Sequence, residues 1–158
     1  MSNIIRTDRL FLRPAVSDDI ESIILAAGAR KSERIPAFVS NQSQWWSTLG
    51  YGLWVLLNPG DSTLIGWCGL RPGDTPLQPE VLYGLAQAAQ GKGYATEALR
   101  AVITFAFSVP GVSSVWAATA IGNSASIAVM KRAGMSLERQ GELDGVESVI
   151  YRANRHGS

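Results

Sequence analysis

The sequence is poor in several features that would place it in a particular class of proteins. It contains one cysteine, so a disulfide framework within the chain is excluded. Its 14 basic and 13 acidic residues give a net charge of +1, which indicates no polyanion as a partner. The single histidine, His156, lies in the tail, so we expect no histidine base.

Long apolar runs are also missing from the chain. No segment resembles a membrane span or a signal peptide, and the first ten residues carry Arg6, Asp8 and Arg9. A length of 158 residues suits one domain with a sizeable core. We therefore expect a single domain over residues 1–158 and a soluble, cytoplasmic enzyme.

The most informative feature that is present is a glycine-containing turn at residues 90–95, with the sequence QGKGYA. It follows an apolar stretch at residues 81–85 and opens a stretch with helical periodicity at residues 95–107. Amide groups at a helix start lack internal partners and favour anions, and glycine lets a phosphate approach the backbone closely. The turn predicts a site for a phosphorylated ligand; a plain strand–turn–helix junction is the alternative. The apolar stripe of this helix comprises Ala95, Ala98, Leu99, Val102, Ile103 and Ala106.

Two nucleotide-binding motifs fit this turn poorly. A P-loop requires serine or threonine after Gly-Lys, and here Gly93 follows Lys92. A dinucleotide fingerprint requires a third glycine where this chain has Thr96, and it usually lies in the first strand–helix unit of its fold. Both interpretations are therefore disfavoured.

A second segment, residues 123–135, indicates which kind of phosphorylated ligand the glycine turn would bind. Residues 90–95 match the pattern Gln/Arg-x-x-Gly-x-Gly/Ala, and the second segment opens with Asn123 and ends with Arg132, Gly134 and Met135. Together the two segments resemble the GNAT acetyltransferase superfamily, in which the last of these positions usually holds an aromatic residue.

The resemblance extends to one branch of that superfamily. The sequences TDRL at residues 7–10, LRP at 12–14 and GKGYATEAL at 91–99 are similar to the RimJ/RimL-like group, which is named for ribosomal-protein N-terminal acetyltransferases. The similarity covers nearly the whole chain and is weakest at residues 30–50.

Strand and helix patterns alternate along the chain. They predict a mixed α/β domain with about seven strands and about four helices. The resemblance would arrange the strands as a splayed, mostly antiparallel sheet. The predicted strands are residues 9–13, 52–57, 64–70, 81–85, 112–120, 135–139 and 146–152. The predicted helices run from a cap at Ser17 to Gly28, over residues 41–49 and 95–107, and from a cap at Asn123 to Gly134.

The resemblance implies that acetyl-CoA is the co-substrate, and no metal is expected. Its pyrophosphate would bind the backbone amides of the glycine turn, and its pantetheine arm would contact backbone groups at the end of the preceding strand. Asn123 would reach this arm or a bound water; helix capping is the alternative, and both can hold at once. The implied residues are Leu85, Ala86, Gln90, Gly91, Lys92, Gly93, Tyr94, Ala95 and Asn123.

Acyl transfer to an amine needs a base, and Glu80 is the candidate. It stands at the start of the strand before the glycine turn, where many relatives carry a glutamate. A solvated strand end is the alternative for this residue.

The leaving thiolate needs a proton donor. Many relatives use a tyrosine seven residues after the asparagine, and Met130 at that position cannot donate a proton. In the RimJ/RimL-like group a serine three residues after the asparagine takes this role, which implies Ser126. A hydrogen bond from Ser126 to its own helix backbone is the alternative. Tyr83 and Tyr94 are further candidates.

A covalent route through Cys68 is disfavoured. A cysteine in the middle of a strand is more often buried and inert, and no histidine partner is well placed. Direct transfer in a ternary complex is therefore expected.

The sequence indicates least about the pocket that would bind the acceptor amine. In this superfamily it is built from the first two helices and the loop between the last strands, here residues 30–49 and 141–147. Trp45, Trp46 and Tyr83 are candidates for acceptor binding, with ordinary packing as the alternative for the tryptophans. The loop also carries acidic residues that would either attract a cationic amine or be merely solvated: Glu142, Asp144 and Glu147.

The resemblance thus implies an N-acetyltransferase acting on a protein N-terminus or a small-molecule amine. A homodimer is expected from the family alone, and neither a nucleic acid nor a membrane is expected as a partner. The alternative is a non-catalytic acyl-CoA-binding sensor or partner-binding module, which Met130 favours and which Glu80 and Ser126 disfavour.

Overall fold

The computed structural model describes residues 2–27 and 34–155. Within these residues the strands are β1 (Ile5–Arg6), β2 (Phe11–Pro14), β3 (Leu53–Leu57), β4 (Leu64–Arg71), β5 (Glu80–Leu85), β6 (Ser114–Ala120), β7 (Ser136–Leu143) and β8 (Val146–Asn154). The helices are α1 (Ile20–Ala27), α2 (Arg34–Thr48), α3 (Tyr94–Ser108) and α4 (Ser124–Arg132). Gly28, His156 and residues 30–33 of the predicted acceptor segment lie outside the described residues.

The eight strands form one sheet in the order β1-β2-β3-β4-β5-β6-β8-β7. Every neighbouring pair is antiparallel except β5 and β6, which run parallel. The prediction of a mixed α/β fold with a mostly antiparallel sheet is confirmed, with eight strands where about seven were expected. The additional strand, β1, has only two residues, too few to show the alternation by which a strand is recognised in a sequence.

The splay of the sheet lies between β5 and β6. These strands pair at one position, Glu80 opposite Trp116, whereas β5 pairs with β4 along its whole length, from Glu80 to Leu85. Beyond the single pairing β5 and β6 separate, and the separation opens a gap in the middle of the sheet.

Helices cover both faces of the sheet. α3 and α4 contribute Leu99 and Met130 to the larger buried cluster, while α1 and α2 contribute Ile23 and Phe38 to a second cluster around Trp67. All six residues of the predicted apolar stripe in α3 are buried, which confirms that prediction. No helix in the described part of the chain is long and apolar enough to cross a bilayer.

Helix α2 is longer than predicted, because it begins at Arg34 instead of near residue 41. The sequence of the first turns, RIPAFVS, contains proline and β-branched residues with low helix propensity, which hid them from pattern analysis. Pro36 is compatible with the helix since the amides of a first turn have no carbonyl partner.

The predicted cap of α1 at Ser17 is wrong. Ser17 lies inside a short 3₁₀ turn, Ser17–Asp19, that leads into α1. The Val16 amide donates to Oδ2 of Asp19 at 2.8 Å, so Asp19 closes this helix start. Hydrogen bonds from the Arg13 guanidinium to both Asp19 oxygens, each 2.9 Å, hold the pKa of Asp19 below its ordinary value.

Candidate active site

The gap between β5 and β6 forms a cavity of about 540 Å³. Its walls come from the end of β4, from β5, β6 and α4, and from the hairpin that joins β7 to β8. This volume falls within the range of small-molecule sites. The cavity brings together residues that the sequence analysis had singled out separately: Glu80, Tyr83, Asn123, Ser126 and Met130.

Backbone groups of β5 line one edge of the gap. The Ala86 amide donates to the Ile65 carbonyl of β4 at 2.8 Å, and the Ala86 carbonyl accepts from the Ala89 amide at 2.9 Å. Hydrogen-bonding direction alternates along an antiparallel strand, so the amide and carbonyl groups of Tyr83 and Leu85 turn away from β4 and towards the gap. Of the two positions predicted to contact a pantetheine arm, Leu85 therefore offers free backbone groups, while the backbone of Ala86 is already engaged.

The glycine turn follows the end of β5 and leads into α3. Gly91 and Gly93 have φ angles of 78° and 82°, in the left-handed region that glycine adopts readily. The Gln90 amide donates to the Gln87 carbonyl at 3.2 Å, and the first α3 amide with a backbone partner is that of Glu97, which donates to Gly93 at 3.1 Å.

Six successive amides lie between these two bonds, at residues 91–96. The first three donate no hydrogen bond to any described residue, and the next three open the helix, where no preceding carbonyl is in reach. A run of free amides at the positive end of a helix is suited to a phosphate group. The run thus begins one residue later than the sequence analysis predicted and includes Thr96.

A residue that the sequence analysis did not assign to the site, Arg9, holds the turn in place. Its Nη1 donates to the Lys92 carbonyl at 2.8 Å, its Nε donates to Glu97 at 2.7 Å, and its guanidinium lies 4.6 Å from the centre of the Tyr94 ring. The Arg9 amide and the Thr7 hydroxyl also donate to Glu97. Thr7 and Arg9 both belong to the TDRL segment that contributed to the family resemblance. The sequence did not indicate which residues they contact.

These hydrogen bonds determine the charge state of Glu97. Partial burial alone would raise its pKa, but the donors from Thr7 and Arg9 outweigh burial and hold the pKa below its ordinary value. Glu97 therefore stays ionised and anchors both the N-terminal segment and the first turn of α3.

Tyr83 and Ser126 form a pair of hydroxyl groups inside the cavity. Their oxygens are 2.6 Å apart, and either can donate. Burial raises the pKa of Tyr83, against a smaller lowering by Ser126, so the phenol keeps its proton at neutral pH. The Ser126 amide donates to Oδ1 of Asn123 at 3.1 Å, which shows that Asn123 caps α4 and orients the turn that carries Ser126. Met130 is buried one turn further along.

Glu80 is also buried in the cavity wall, with 9% of its surface exposed. It lies opposite Arg71 of β4, whose Nε and Nη2 both approach Oε1 of Glu80, at 2.8 and 2.7 Å. No hydrogen bond within residues 2–27 and 34–155 uses Oε2 of Glu80. Glu80 is thus a paired, largely buried carboxylate with one oxygen free, and not a solvated strand end.

Other candidates from the sequence lie elsewhere. Trp45 packs edge-on against Phe38, with ring centres 5.3 Å apart. Trp46 packs against Trp54 at 4.9 Å, so neither tryptophan of α2 lines the cavity, and this geometry lends no support to a role in acceptor binding. Cys68 is fully buried in β4, as predicted for an inert thiol.

The acidic residues of the β7–β8 hairpin divide into two groups. Asp144 and Gly145 form its two-residue turn with φ angles of 50° and 79°, as in the common tight hairpin. Asp144 lines the cavity. Glu142 and Glu147 face each other across the hairpin on its exposed part and do not line the cavity.

Comparisons with known proteins identify the family and the fold. The family model for the acetyltransferase (GNAT) domain matches residues 9–136. Among curated proteins, the uncharacterized protein YkkB of Bacillus subtilis (strain 168) is 34% identical over 90 residues, which cover 54% of this chain and 52% of YkkB. The chain thus spans about half the length of the curated relative it matches.

Solved structures match over almost the whole chain. An acetyltransferase from Agrobacterium tumefaciens strain C58 superimposes with a TM-score of 0.82 at 23% identity, covering 98% of this chain and 95% of that one. RimL, a ribosomal L7/L12 alpha-N-protein acetyltransferase in complex with coenzyme A, superimposes with a TM-score of 0.77 at 17% identity, covering 96% and 98%. At these identities the likeness establishes a shared fold.

The contacts of Glu97 give a testable prediction. Glu97→Gln removes the negative charge that holds Arg9, so we expect the free energy of unfolding to fall by about 1 kcal/mol at neutral pH, given the partial exposure of the pair. The pKa of Glu97 in the folded protein lies below its ordinary 4.5. The wild-type protein should therefore lose this contribution as pH falls below 4.5, and the difference between the two proteins in urea unfolding should shrink.

The matched control is Glu21→Gln, at an exposed position of α1. We expect this variant to unfold like the wild-type protein at every pH. A pH-independent difference for Glu97→Gln, or an equal loss in both variants, would contradict the role assigned to Glu97.

Proposed function

The chain belongs to the acetyltransferase (GNAT) family, and from this premise we propose that it transfers an acetyl group from acetyl-CoA to a primary amine. The observation that carries the proposal is the run of free amides at residues 91–96, at the end of the strand that borders the gap. GNAT enzymes use acetyl-CoA, and the cradle in this chain has the chemistry of a pyrophosphate site.

The residues present fit such a ligand. Amides of residues 91–96 would hold the pyrophosphate, and the backbone groups of Tyr83 and Leu85 that face the gap would pair with the amide groups of a pantetheine arm. Acetyl-CoA, when bound, supplies a thioester whose carbon–sulfur bond breaks as the new carbon–nitrogen bond forms. The remaining work, which is proton transfer and positioning, falls to side chains of this protein.

Glu80 is proposed to accept the proton that the attacking amine loses. Its Oε2 is free, and its carboxylate lies in the wall of the cavity, so it can take the proton directly or through a water molecule. Arg71 holds Oε1 and thereby fixes the orientation of the carboxylate. Direct transfer in a ternary complex follows, since the buried Cys68 offers no accessible nucleophile.

The Tyr83–Ser126 pair is proposed to return a proton to the departing sulfur. The Ser126 hydroxyl gives its proton to the sulfur and takes the proton of the Tyr83 phenol across their 2.6 Å hydrogen bond. Tyr83 then regains a proton from solvent. The pair supplies hydroxyl groups in a cavity where Met130 has none: Ser126 of α4 gives the proton, and Tyr83 of β5 replaces it.

A non-catalytic acyl-CoA-binding module is the second candidate, and Met130 is the observation that favours it. The two candidates differ in one measurable property, the release of free CoA when an amine is added. The proposed enzyme releases CoA in proportion to the acetylated product, whereas a binding module retains acetyl-CoA unchanged.

Acetyl-CoA should raise the melting temperature, whereas NAD and ATP should not. At about 100 times its dissociation constant, a ligand specific for the folded state stabilises by about 2.7 kcal/mol. We then expect thiol release from acetyl-CoA with at least one primary amine. Stabilisation by a nucleotide instead would contradict the assigned ligand, and stabilisation by acetyl-CoA without thiol release for any amine would favour the binding module.

Substitutions in the hydroxyl pair should be non-additive. We expect Ser126→Ala and Tyr83→Phe each to lower kcat by about 100-fold, at the low end of general acid contributions, because a thiolate is a good leaving group. The double variant should be no slower than the slower single variant, since the two hydroxyls act as one unit. Because burial raises the pKa of Tyr83, kcat should show no alkaline fall near neutral pH from this group.

Ser124→Ala serves as the matched control, because Ser124 is exposed at the start of the same helix. It should leave kcat unchanged. Multiplicative losses in the double variant, or full activity of Ser126→Ala, would show that the pair does not deliver the proton.

A further inference from the structure

The charged pair Arg71–Glu80 is the feature of the cavity that the acetyl transfer proposed above does not fully explain. A base needs only its carboxylate, yet here a guanidinium lies beside it in the same cavity wall. Both Arg71 nitrogens within reach, Nε and Nη2, converge on Oε1 of Glu80. A side-on fork would have used both carboxylate oxygens.

This geometry leaves one group of each charge available. Oε2 of Glu80 and Nη1 of Arg71 form no hydrogen bond within the part of the chain that the structure describes. The Arg71 side chain is 32% exposed and the Glu80 side chain 12% exposed, so the pair is shielded but accessible from the cavity. A ligand in the cavity can thus reach a hydrogen-bond acceptor on Glu80 and a donor of opposite charge on Arg71.

Resting on the proposed function, we propose that the acceptor is a free α-amino acid, bound as a zwitterion by this pair. Its ammonium group binds Oε2 of Glu80, and its carboxylate binds Nη1 of Arg71. Glu80 accepts the ammonium proton before attack and releases it to solvent, and it accepts the second nitrogen proton once the carbon–nitrogen bond has formed. The two charges of an α-amino acid lie two bonds apart, which suits two protein charges in direct contact.

The charge balance of the cavity separates this acceptor from the other amines. Besides the pair, Asp144 is the only charged residue among the described residues that line the cavity, and it is exposed at the hairpin turn. A polyamine would bring a second cation towards Arg71, and a peptide N-terminus carries an amide where the carboxylate should be. A zwitterion offers Arg71 and Glu80 each a partner of opposite charge.

Wild-type protein saturated with CoA provides the test, by calorimetric titration. The probes are the twenty L-amino acids, singly, and for each amino acid that binds, its methyl ester and its N-acetyl derivative. We expect at least one amino acid to bind about 10-fold or more tightly than its methyl ester, which keeps the amine but lacks the negative charge. The N-acetyl derivative, which lacks the ammonium group, should bind more weakly than the amino acid by a similar factor.

Variants of Arg71 then test whether its guanidinium binds the carboxylate of the amino acid. Arg71→Gln should abolish the preference for amino acid over ester, Arg71→Lys should retain part of it, and Arg139→Gln, at an exposed position of β7, should leave it intact. If Arg71 serves only to position Glu80, the Arg71→Gln protein will bind amino acids and their methyl esters more weakly by the same factor. That result would contradict the proposal. The wild-type comparison needs no variant, so a misfolded Arg71→Gln protein does not remove the test.

The outcomes separate this inference from the proposed function. Thiol release with amines or esters, and no preference for a carboxylate, would leave acetyl transfer standing and overturn the zwitterion site. A wild-type protein that binds no amino acid overturns it as well. Preferential binding of an amino acid without thiol release would support the zwitterion site and contradict acetyl transfer.

Discussion

The single pairing between Glu80 of β5 and Trp116 of β6 is the constraint on which the site depends. Backbone groups inside a sheet are normally paired with a neighbouring strand. Here two parallel strands meet at one position and then separate, so the groups of β5 that point away from β4 have no strand to receive them. The same separation admits α4 and the β7–β8 hairpin as walls of a cavity. The fold thus leaves an unpaired strand edge in the middle of the molecule, where an extended ligand can complete it.

A second requirement is that the glycine turn keeps one conformation. Its two glycines with left-handed φ angles allow the chain to turn. Because the amides of the turn are free, hydrogen bonds within the turn do not stabilise this conformation. The stabilising contacts come from Arg9 and Thr7, more than 80 residues away, through the ionised Glu97. Contacts within the protein therefore hold the turn in one conformation, which would lower the ordering cost of binding the proposed pyrophosphate.

Much of this architecture could be predicted from the sequence, because local patterns encode it. The stripe of α3, the glycine turn and the Asn123 cap each lie within one short segment, and each is present as predicted. Long-range contacts could not be predicted in this way. Ser126 was selected through a family resemblance, and its partner Tyr83 is 43 residues away.

Sequence alone also left open what individual polar and aromatic residues do. Nothing local indicates that Glu80 is opposite Arg71, since this follows from the register of β4 and β5. For Trp45 and Trp46, the pattern left packing and binding as open alternatives, and in the structure both rings are half-buried and pack against other aromatic rings. The family resemblance indicated the type of chemistry, and the register of β4 and β5 shows that Arg71 lies opposite Glu80.

The most direct test of this account is amide hydrogen exchange, resolved by residue, with and without acetyl-CoA. Free amides exchange fast, and amides that bind a phosphate or a pantetheine arm exchange slowly. We expect slowed exchange at residues 91–96 and at Leu85, with Ala86 already slow in the free protein. Unchanged exchange at residues 91–96, with protection confined to α1 and α2, would contradict it.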